Sequence, residues 1–458
     1  IDLAGLDMAA ITARTVALPV PPGPYSELNT GKPGVIFWLA DMSANDPNAQ
    51  GPNGTLHTFT LEDRKIEKVA ENVVDYEVTA DGEKLLLSSR TQRAPDAAPG
   101  GPPARTRYSI VPAKAMGAAP PKPEDTSLLL DNLEVRVDPA AEWAQMYREV
   151  WRIQRAYFYD PGFHGLDTVA AEKQLAPYAE AVQSRSDLNY VFQEMLTGFS
   201  VGHLRGSGGA IPSAPRVEGG LLGADYVTRN NRWCIAKVYT PGSWSPDVKA
   251  PLSQPGLNVK PGDCITAING KPLDASTDIQ QPLEGTAGKL ITLKLASGNS
   301  SRDISVVPVN SEQRLRNLEW IETNRKKVDE MSGGKLAYVY LPDTGNGGFT
   351  AFNRYYFAQT DKQGVVIDER FNGGGQMADY IIEVLGRGLQ SFWSARYGAI
   401  ERTPAAAILG PKVMIANEVS GSGGDALPWM FKTNKLGPLV GKRTWGGLVG
   451  IGGTPQLM

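Results

Sequence analysis

The segment Gly364-Val-Val-Ile-Asp-Glu-Arg-Phe-Asn-Gly-Gly-Gly375 decides the fold of the C-terminal part of the chain. It opens as a short apolar run, which is typical of a strand buried on both faces, and it ends in three glycines. Residues 336–341 and 413–417 have the same strand character, and helical patterns lie between and after these strands. The repeated order of strand, loop and helix predicts an α/β domain.

A second glycine-rich loop, Ser420-Gly-Ser-Gly-Gly-Asp425, contains the candidate nucleophile Ser422. Open α/β sheets place their ligand sites at the C-terminal ends of strands. Ser422 directly precedes a predicted helix, whose N–H groups and dipole suit the anion that develops in acyl transfer. The glycines at 373–375 can present further N–H groups to the same point, because glycine permits close backbone approach.

Other interpretations of these loops stay open on the residues alone. A glycine-rich loop after a strand is often only a tight turn. Neither loop has the spacing of a nucleotide-binding GxxxxGK[ST] or GxGxxG motif. The serine elbow of α/β-hydrolases also fails to match, because Ser420 stands where that motif has glycine.

A serine nucleophile needs a base, and the chain has three histidines. His203 follows a predicted helix in Val201-Gly-His-Leu204, and His164 competes with it for the role. His57 lies in a predicted strand of the N-terminal region and is a poor candidate. A lone histidine is more often structural than catalytic, so the residues alone leave the base undecided.

Composition excludes several classes of function. Hydrophobic residues make up 41% of the 458 residues, charged residues 21%, and the formal charge is −3, so nucleic-acid binding has no electrostatic footprint. No apolar stretch approaches the ~20 residues that span a bilayer. With only Cys234 and Cys264, and no metal-type histidine spacing, we expect neither metal nor cofactor. A single bridge between the two cysteines stays open, so the compartment is undecided.

The remaining regions predict three further kinds of structure. Residues 1–115 contain short strands and the turn Asp81-Gly82, which is typical of β-propeller blades. Helical spacing dominates 139–200. Residues 216–310 return to β, and Pro255-Gly-Leu-Asn-Val-Lys-Pro-Gly-Asp-Cys-Ile-Thr-Ala-Ile-Asn-Gly270 resembles the PDZ family, whose exposed sheet edge accepts an extended peptide.

Over nearly its whole length the chain resembles the tricorn peptidases, within the wider group of C-terminal-processing peptidases. The resemblance rests on motifs distributed along the chain: Glu142-Trp…Tyr147-x-Glu-x-Trp151-Arg, Tyr159-Asp-Pro, Arg185-Ser-Asp-Leu-Asn-Tyr190, Gly202-His203, Arg370-Phe-Asn-Gly-Gly-Gly375, Gly421-Ser-x-Gly-Asp425 and Leu436-Gly-x-Leu-Val-Gly-Lys-Arg-Thr-Trp-Gly-Gly447.

The resemblance implies a multidomain α+β protein with four parts. These are the C-terminal part of a β-propeller at 1–117, a helical domain carrying the base at 118–210, a PDZ domain at 211–312, and an α/β serine peptidase core of the ClpP/crotonase type at 313–458. It also implies a toroidal homo-oligomer such as a hexamer, peptide substrates, and no metal or cofactor. We expect a cytoplasmic location, or a periplasmic one if a signal peptide precedes Ile1.

By the same resemblance, Ser422 is the nucleophile and His203 the base of a serine endopeptidase that works through an acyl-enzyme. The oxyanion hole is expected from the N–H of Gly423 with that of Gly375 or Gly374.

Three departures from the family pattern put activity in doubt. Gly202 stands where the family commonly has a serine in its charge network, and Gly423 where it commonly has an aspartate. The family orients its base with a downstream glutamate, yet no Asp or Glu follows Asp425. We expect a chain truncated at Met458, or otherwise a site without its orienting acid, which can cost several orders of magnitude in rate.

Two alternatives follow. One is a catalytically decayed scaffold that binds peptides through its PDZ domain. The other is a Ser/Lys processing peptidase that uses Lys442. The second is weaker, because Gly447 stands where the related enzymes have their base lysine.

Overall fold

The computed structural model describes residues 17–20, 23–41, 54–90, 106–113, 127–130, 133–212, 216–242 and 248–450, and the single positions 7, 15, 214 and 245. The chain forms two compact units, Ile1–Arg136 and Val137–Met458. The expected boundary at 117/118 and the last residues, 451–458, lie outside the described residues.

The first unit contains one antiparallel sheet of six strands in chain order. The predicted turn at Asp81-Gly82 joins the fourth strand to the fifth, and Asp81 accepts hydrogen bonds from Thr79 and Glu83 there. Alternate residues face a core that includes Phe37, Leu56 and Leu85. The strands are β1 Tyr25–Thr30, β2 Val35–Asp41, β3 Gly54–Thr60, β4 Lys65–Val78, β5 Lys84–Arg90 and β6 Thr106–Pro112.

Three helices open the second unit: α1 Pro139–Tyr157, α2 Thr168–Ala181 and α3 Arg185–Thr197. Each begins at a side-chain cap, which is Asp138 for α1, Asp167 for α2 and Ser184 for α3. Trp151 of α1 is fully buried and packs on Phe199, with their ring centroids 6.0 Å apart. This packing fixes the end of α3, and residues 201–204 leave the helical core directly after it.

The next part is an antiparallel β domain. Its sheet has the order β12-β11-β9-β8-β7, with β10 paired to β9, so β7 lies at one edge. A disulfide joins Cys234 of β8 to Cys264 of β9, which stand opposite each other in the register. The strands are β7 Ala224–Arg229, β8 Arg232–Val238, β9 Cys264–Ile268, β10 Lys271–Pro272, β11 Ile291–Ser297 and β12 Ser300–Val306.

The C-terminal part is built on a parallel sheet of four strands, β13 Leu336–Tyr340, β14 Gly364–Asp368, β17 Lys412–Ala416 and β18 Leu439–Gly441. Three helices, α5 Asn346–Phe357, α6 Ala378–Leu385 and α7 Gly423–Thr433, cover one face. The helix α4, Gln313–Met331, covers the other. Between α6 and β17, the short strands β15 Ser391–Trp393 and β16 Glu401–Thr403 form a separate pair.

The predicted α/β character of this part is confirmed, whereas α4 was not predicted. Because the sheet is parallel, the loops after β14 and β17 leave the same edge of neighbouring strands. That edge is where the glycine-rich loops predicted to form the site come together.

Candidate active site

Ser422 lies in the sharp turn between β17 and α7, at the N-cap of α7. Its φ of 58° and ψ of −116° lie in a region that residues other than glycine rarely adopt. The N–H of Ser422 donates to Asp425 Oδ2 at 2.7 Å, and its carbonyl accepts the N–H of Asp425 at 2.8 Å. These bonds hold the strained turn in place and join it to the first turn of α7.

The carboxylate of Asp425 binds two loops together. Besides the N–H of Ser422, it accepts the N–H of Gly446 at 2.6 Å and that of Gly447 at 2.9 Å. The residue is 6% exposed. With both oxygens occupied by backbone donors, Asp425 fixes the positions of the nucleophile turn and of the loop that carries Trp445.

The three glycines at 373–375 differ in what their N–H groups do. Gly373 donates to Pro342 O at 2.9 Å, and Gly374 donates to Asn372 Oδ1 at 2.9 Å. Within the part of the chain that the structure describes, Gly375 and Gly423 donate no hydrogen bond. Of the two predicted partners for Gly423, Gly375 therefore has the N–H group that is available to a ligand.

Close contact joins the two glycine loops. A Cβ at residue 374 would lie 2.7 Å from the Cβ of Ser422. A Cβ at residue 423 would lie 1.9 Å from Thr344 Oγ1 and 2.2 Å from the carbonyl oxygen of Gly375. No side chain fits at position 423, so the glycine that departs from the family pattern is required by this packing.

His203 and Ser422 border the same cleft, of about 630 Å³. The ring centroids of His203 and Trp445 are 5.2 Å apart, in an edge-to-face arrangement. His203 Nδ1 is buried and has no hydrogen-bond partner among the described residues. The cleft is also lined by Arg205, Asn372, Gly373, Glu418, Val419, Gly421 and Trp445.

Trp445 occupies the space beside the base. A Cβ at Gly202 would lie 2.5 Å from its Cζ2, and one at Gly421 would lie 2.7 Å from its Cε3. The backbone N–H of Trp445 donates to Ser420 O at 2.9 Å, and this bond helps to hold the indole between these glycines. The indole of Trp445 therefore occupies the space that a serine side chain at position 202 would take.

The competing bases have other partners. His164 is bonded at both ring nitrogens, to Tyr159 Oη at 2.6 Å and to Phe199 O at 2.8 Å. His57 lies in the first unit and stacks on Trp38. Lys442 is exposed and forms an ion pair with Glu418 at 2.9 Å, and it is not among the residues that line the cleft.

Glu369 is a buried carboxyl group next to the nucleophile loop that sequence reasoning missed. It follows β14, is completely buried, and neither carboxyl oxygen has a hydrogen-bond partner among the described residues. Burial, with the nearby charges of Asp425 and Asp368, raises the pKa of Glu369 to about 9. Its carbonyl oxygen accepts Ser420 Oγ at 2.8 Å, so an uncharged Glu369 lies beneath the nucleophile loop. The available signal was the pair Asp368 and Arg370 on either side, which bind each other at 2.6 Å.

Two other observations limit the chemistry of the described residues. No three His, Cys, Asp or Glu side chains among them come close enough to hold a metal ion. None of the helices in the described ranges has the length and apolar character needed to cross a membrane.

Comparison with family models divides the second unit into three matches. Residues 139–197 match the tricorn protease C1 domain, residues 220–311 the tricorn protease PDZ domain, and residues 335–457 peptidase family S41. The last match contains Ser422 and both glycine loops.

Whole-chain comparisons agree with these matches. Tricorn protease homolog 1 of Streptomyces coelicolor is 32% identical over 97% of this chain and 41% of its own length. Tricorn protease of Thermoplasma volcanium is 27% identical over 97% of this chain and 42% of its own length. A crystal structure of the tricorn protease superposes with a TM-score of 0.80 at 26% identity, covering 96% of this chain and 41% of that one. The chain thus spans less than half the length of these relatives.

The fold and the matches define a class of multidomain protein in which a PDZ domain precedes an α/β domain of the serine peptidase type. Within that class the chain belongs to the tricorn protease family.

Glu369→Gln should stabilise the protein at alkaline pH. The pKa of Glu369 is raised in the folded state from 4.5 to about 9, so the folded form retains a proton that the unfolded form loses. The free energy of unfolding of the parent protein should therefore fall as pH rises through that window. Glutamine removes this dependence, and we expect a gain of at least ~1 kcal/mol at pH 8 in urea denaturation.

Glu383→Gln is the matched control, because the side chain of Glu383 is 72% exposed. It should follow the parent protein at every pH. An identical pH dependence in the parent protein and in Glu369→Gln would show that Glu369 is not held uncharged.

Gly202→Ala should destabilise the protein through Trp445. The added methyl would overlap the indole, and because Gly202 and Trp445 are both partly open to solvent, we expect a cost of only ~1 kcal/mol. In a double-mutant cycle with Trp445→Leu, most of this cost should disappear. Gly388→Ala is the control, because a Cβ there meets no atom within 4 Å. Strictly additive effects of the two substitutions would rule out the contact.

Proposed function

We propose that this chain is the catalytic portion of a tricorn-type serine peptidase, which hydrolyses peptide bonds through an acyl-enzyme with Ser422 as nucleophile and His203 as general base. The observation that carries the proposal is that His203 and Ser422 border one cleft. Gly423, directly after Ser422, and Gly375 of the neighbouring loop have N–H groups without an acceptor among the described residues. The family S41 match over residues 335–457 supports the same reaction class.

The proposed reaction begins with attack of Ser422 Oγ on the carbonyl carbon of the peptide bond. His203 takes the hydroxyl proton and then gives it to the amine that leaves when the C–N bond breaks. A water molecule, deprotonated in turn by His203, attacks the acyl carbon. The bond to Ser422 Oγ then breaks, His203 returns the proton to that oxygen, and the second product leaves as a carboxylic acid.

We propose that Gly423 and Gly375 supply the oxyanion hole. The N–H of Gly423 follows Ser422 directly at the start of α7, where the helix dipole adds partial positive charge, and Gly375 packs against Gly423 from the neighbouring loop. Gly374 serves this role less well, because its N–H is bonded to Asn372. We assign Gly374 to close packing against the nucleophile instead, where its φ of 87° and the absence of a side chain are both needed.

The orienting group for His203 is not among the described residues, since its buried Nδ1 has no partner there. In serine peptidases, substituting the orienting carboxylate costs about 10⁴-fold in rate. At Gly202, where the family pattern has a serine of the charge network, Trp445 supplies an aromatic contact to His203 instead.

The two alternative functions are less well supported. Gly202, Gly423 and the missing orienting acid motivated the decayed scaffold, and the packing around the two glycines leaves the backbone donors in place. The Ser/Lys mechanism requires a lysine with a lowered pKa near the serine, whereas Lys442 is an exposed partner of Glu418.

For the domain arrangement, we propose the four parts at 1–117, 118–210, 211–312 and 313–458. The three family matches fall inside the last three of them. The β-propeller assignment for the first part is supported by its antiparallel strands in chain order. The ClpP/crotonase relation of the last is supported by its parallel sheet with glycine loops at one edge. The toroidal homo-oligomer is proposed from the family resemblance.

Two compartments fit a protein of this family, the cytoplasm and the periplasm. The disulfide between Cys234 and Cys264 favours the periplasm, because disulfides persist in oxidising environments. Rapid alkylation of thiols in intact cells, followed by mass spectrometry, would distinguish the two. We expect the two cysteines not to react with the reagent. Complete alkylation of both would instead indicate a cytoplasmic location.

The test of the proposed reaction is labelling with a fluorophosphonate, with the modified residue located by mass spectrometry. We expect stoichiometric labelling at Ser422, none in Ser422→Ala, and unchanged labelling in Ser391→Ala, which alters an exposed serine of β15. His203→Ala should slow labelling ~10²-fold or more.

Peptidase activity retained in Ser422→Ala would overturn the proposal, and an unchanged rate in His203→Ala would restore the lysine mechanism. Light scattering of the same labelled sample should give a multiple of the 49.3 kDa chain mass if the homo-oligomer forms.

A further inference from the structure

The PDZ domain has the usual place for a peptide end, at the loop that precedes its edge strand. Residues 219–223, Gly-Gly-Leu-Leu-Gly, lead directly into β7. This strand has β8 on one side and, among the described residues, no neighbouring strand on the other. A bound peptide extends such a sheet edge, and its terminal carboxylate is taken by backbone N–H groups of a loop. The state of these N–H groups therefore decides whether a free peptide end can enter.

Three of the N–H groups in this loop already have acceptors within the chain. Gly220 donates to Leu283 O at 2.8 Å and Leu221 to Val309 O at 2.7 Å. Gly223 donates at 2.6 Å to a side-chain carboxylate, Oε1 of Glu312. The position of a ligand carboxylate is thus held by a carboxylate of the same chain.

Glu312 is well fitted to this position. It is 6% exposed, and it stands at the N-cap of α4. Its Oε1 receives the Gly223 N–H, and its Oε2 receives Arg316 Nε at 2.7 Å and Nη2 at 2.6 Å. Both oxygens are therefore satisfied by charge-assisted or backbone hydrogen bonds, which offsets the cost of burying the charge.

Arg316 occupies the next backbone group of the edge strand. Its Nη2 donates to the carbonyl oxygen of Ala224 at 3.0 Å, and its Nη1 donates to Asp225 Oδ1 at 2.6 Å. The guanidinium also lies over the ring of Tyr239, 4.5 Å from its centroid. A peptide that added to β7 from the loop would have to displace these bonds.

A recess with one apolar side remains beside the occupied loop. It has a volume of about 270 Å³ and is lined in part by Leu222, Tyr226 and Trp233. In a peptide complex such a recess takes the terminal side chain, whereas Glu312 and Arg316 border it here from the α4 side. The recess and the loop together form a recognisable peptide-end site with its anionic position already filled.

We propose that Glu312 is the resident ligand of this carboxylate site, and that Glu312 and Arg316 convert a peptide receptor into a fixed joint between the PDZ domain and helix α4. The intact protein then has no affinity for free peptide carboxylates at the loop. Removal of the Glu312 carboxylate opens a site for a peptide with an apolar C-terminal residue and a free carboxylate. This inference does not depend on the proposed peptidase reaction.

The experiment uses two probes, fluorescein-Gly-Ser-Leu-Ala-Val with a free carboxylate and the same peptide with a C-terminal amide. Binding is measured by fluorescence polarisation to the full chain carrying Ser422→Ala, so that cleavage cannot contribute. With Glu312 present, we expect the two probes to give the same weak signal. With Glu312→Ala, the carboxylate probe should bind at least ~10-fold more tightly than the amide, the difference made by one charged contact.

The matched control is Glu319→Ala. Glu319 forms the other ion pair between α4 and the PDZ domain, with Lys237 at 2.7 Å, but lies outside the loop. Its removal should not create a preference for the carboxylate probe. Equal gains in Glu319→Ala and Glu312→Ala would overturn the proposal, as would saturable, carboxylate-dependent binding while Glu312 is in place.

A second measurement needs no substitution and covers the case in which Glu312→Ala does not fold. Hydrogen exchange of the Gly223 amide in the unsubstituted chain should be slow, because the amide is bonded to a buried carboxylate. Exchange of Gly223 as fast as that of Gly219, which the structure gives no such acceptor, would show that the loop is vacant.

Discussion

The carboxylate of Asp425 accepts three backbone N–H groups, from Ser422, Gly446 and Gly447, and most of the candidate site depends on that convergence. Hydrogen bonds to a charged acceptor are among the stronger ones in proteins, and their burial here limits competition from water. They hold Ser422 at a positive φ, and they bring the loop of Trp445 against the base. The carboxylate of Asp425 therefore has a structural role, because it holds two irregular loops in position.

The two glycines that depart from the family pattern are explained by their neighbours. At position 423, Thr344 and Gly375 approach too closely for any Cβ, and at position 202 the indole of Trp445 does the same. A glycine in place of a larger residue normally loses side-chain contacts. Here the neighbouring groups occupy the space that the larger side chain would take. The departures are therefore not in themselves signs of lost function, since backbone donors rather than side chains are what the proposed oxyanion hole requires.

The sequence predicted well those features that have a local signal. Buried strands followed by glycine loops place Ser422 and the glycines at 373–375 at one sheet edge, whatever the details of packing. The family motifs, rather than any local pattern, singled out His203 from His164, because each histidine alone looks much the same. The pairing of Cys234 with Cys264 could not be decided from two residues 30 positions apart, since it depends on the register of β8 and β9.

Other features have only a weak local signal. Helix α4 was missed because charged and polar residues dominate it, and only a few apolar side chains, among them Leu315 and Trp320, mark its buried faces. The buried state of Glu369 depends on Asp368 and Arg370 binding each other, which leaves the middle residue of the three without a partner. The propeller assignment of the first unit and the expected four-domain boundaries remain predictions.

Helix α4 belongs to two domains at once. Its first turn contributes Glu312 and Arg316 to the PDZ loop, and its middle carries Trp320, whose ring lies 5.1 Å from that of Tyr340 and 5.0 Å from the guanidinium of Arg370. A fragment cut at the end of the family-matched PDZ domain, at residue 311, would lose Glu312 and present an empty loop. Ligand screens on such an excised module would report an affinity that the parent polypeptide does not possess.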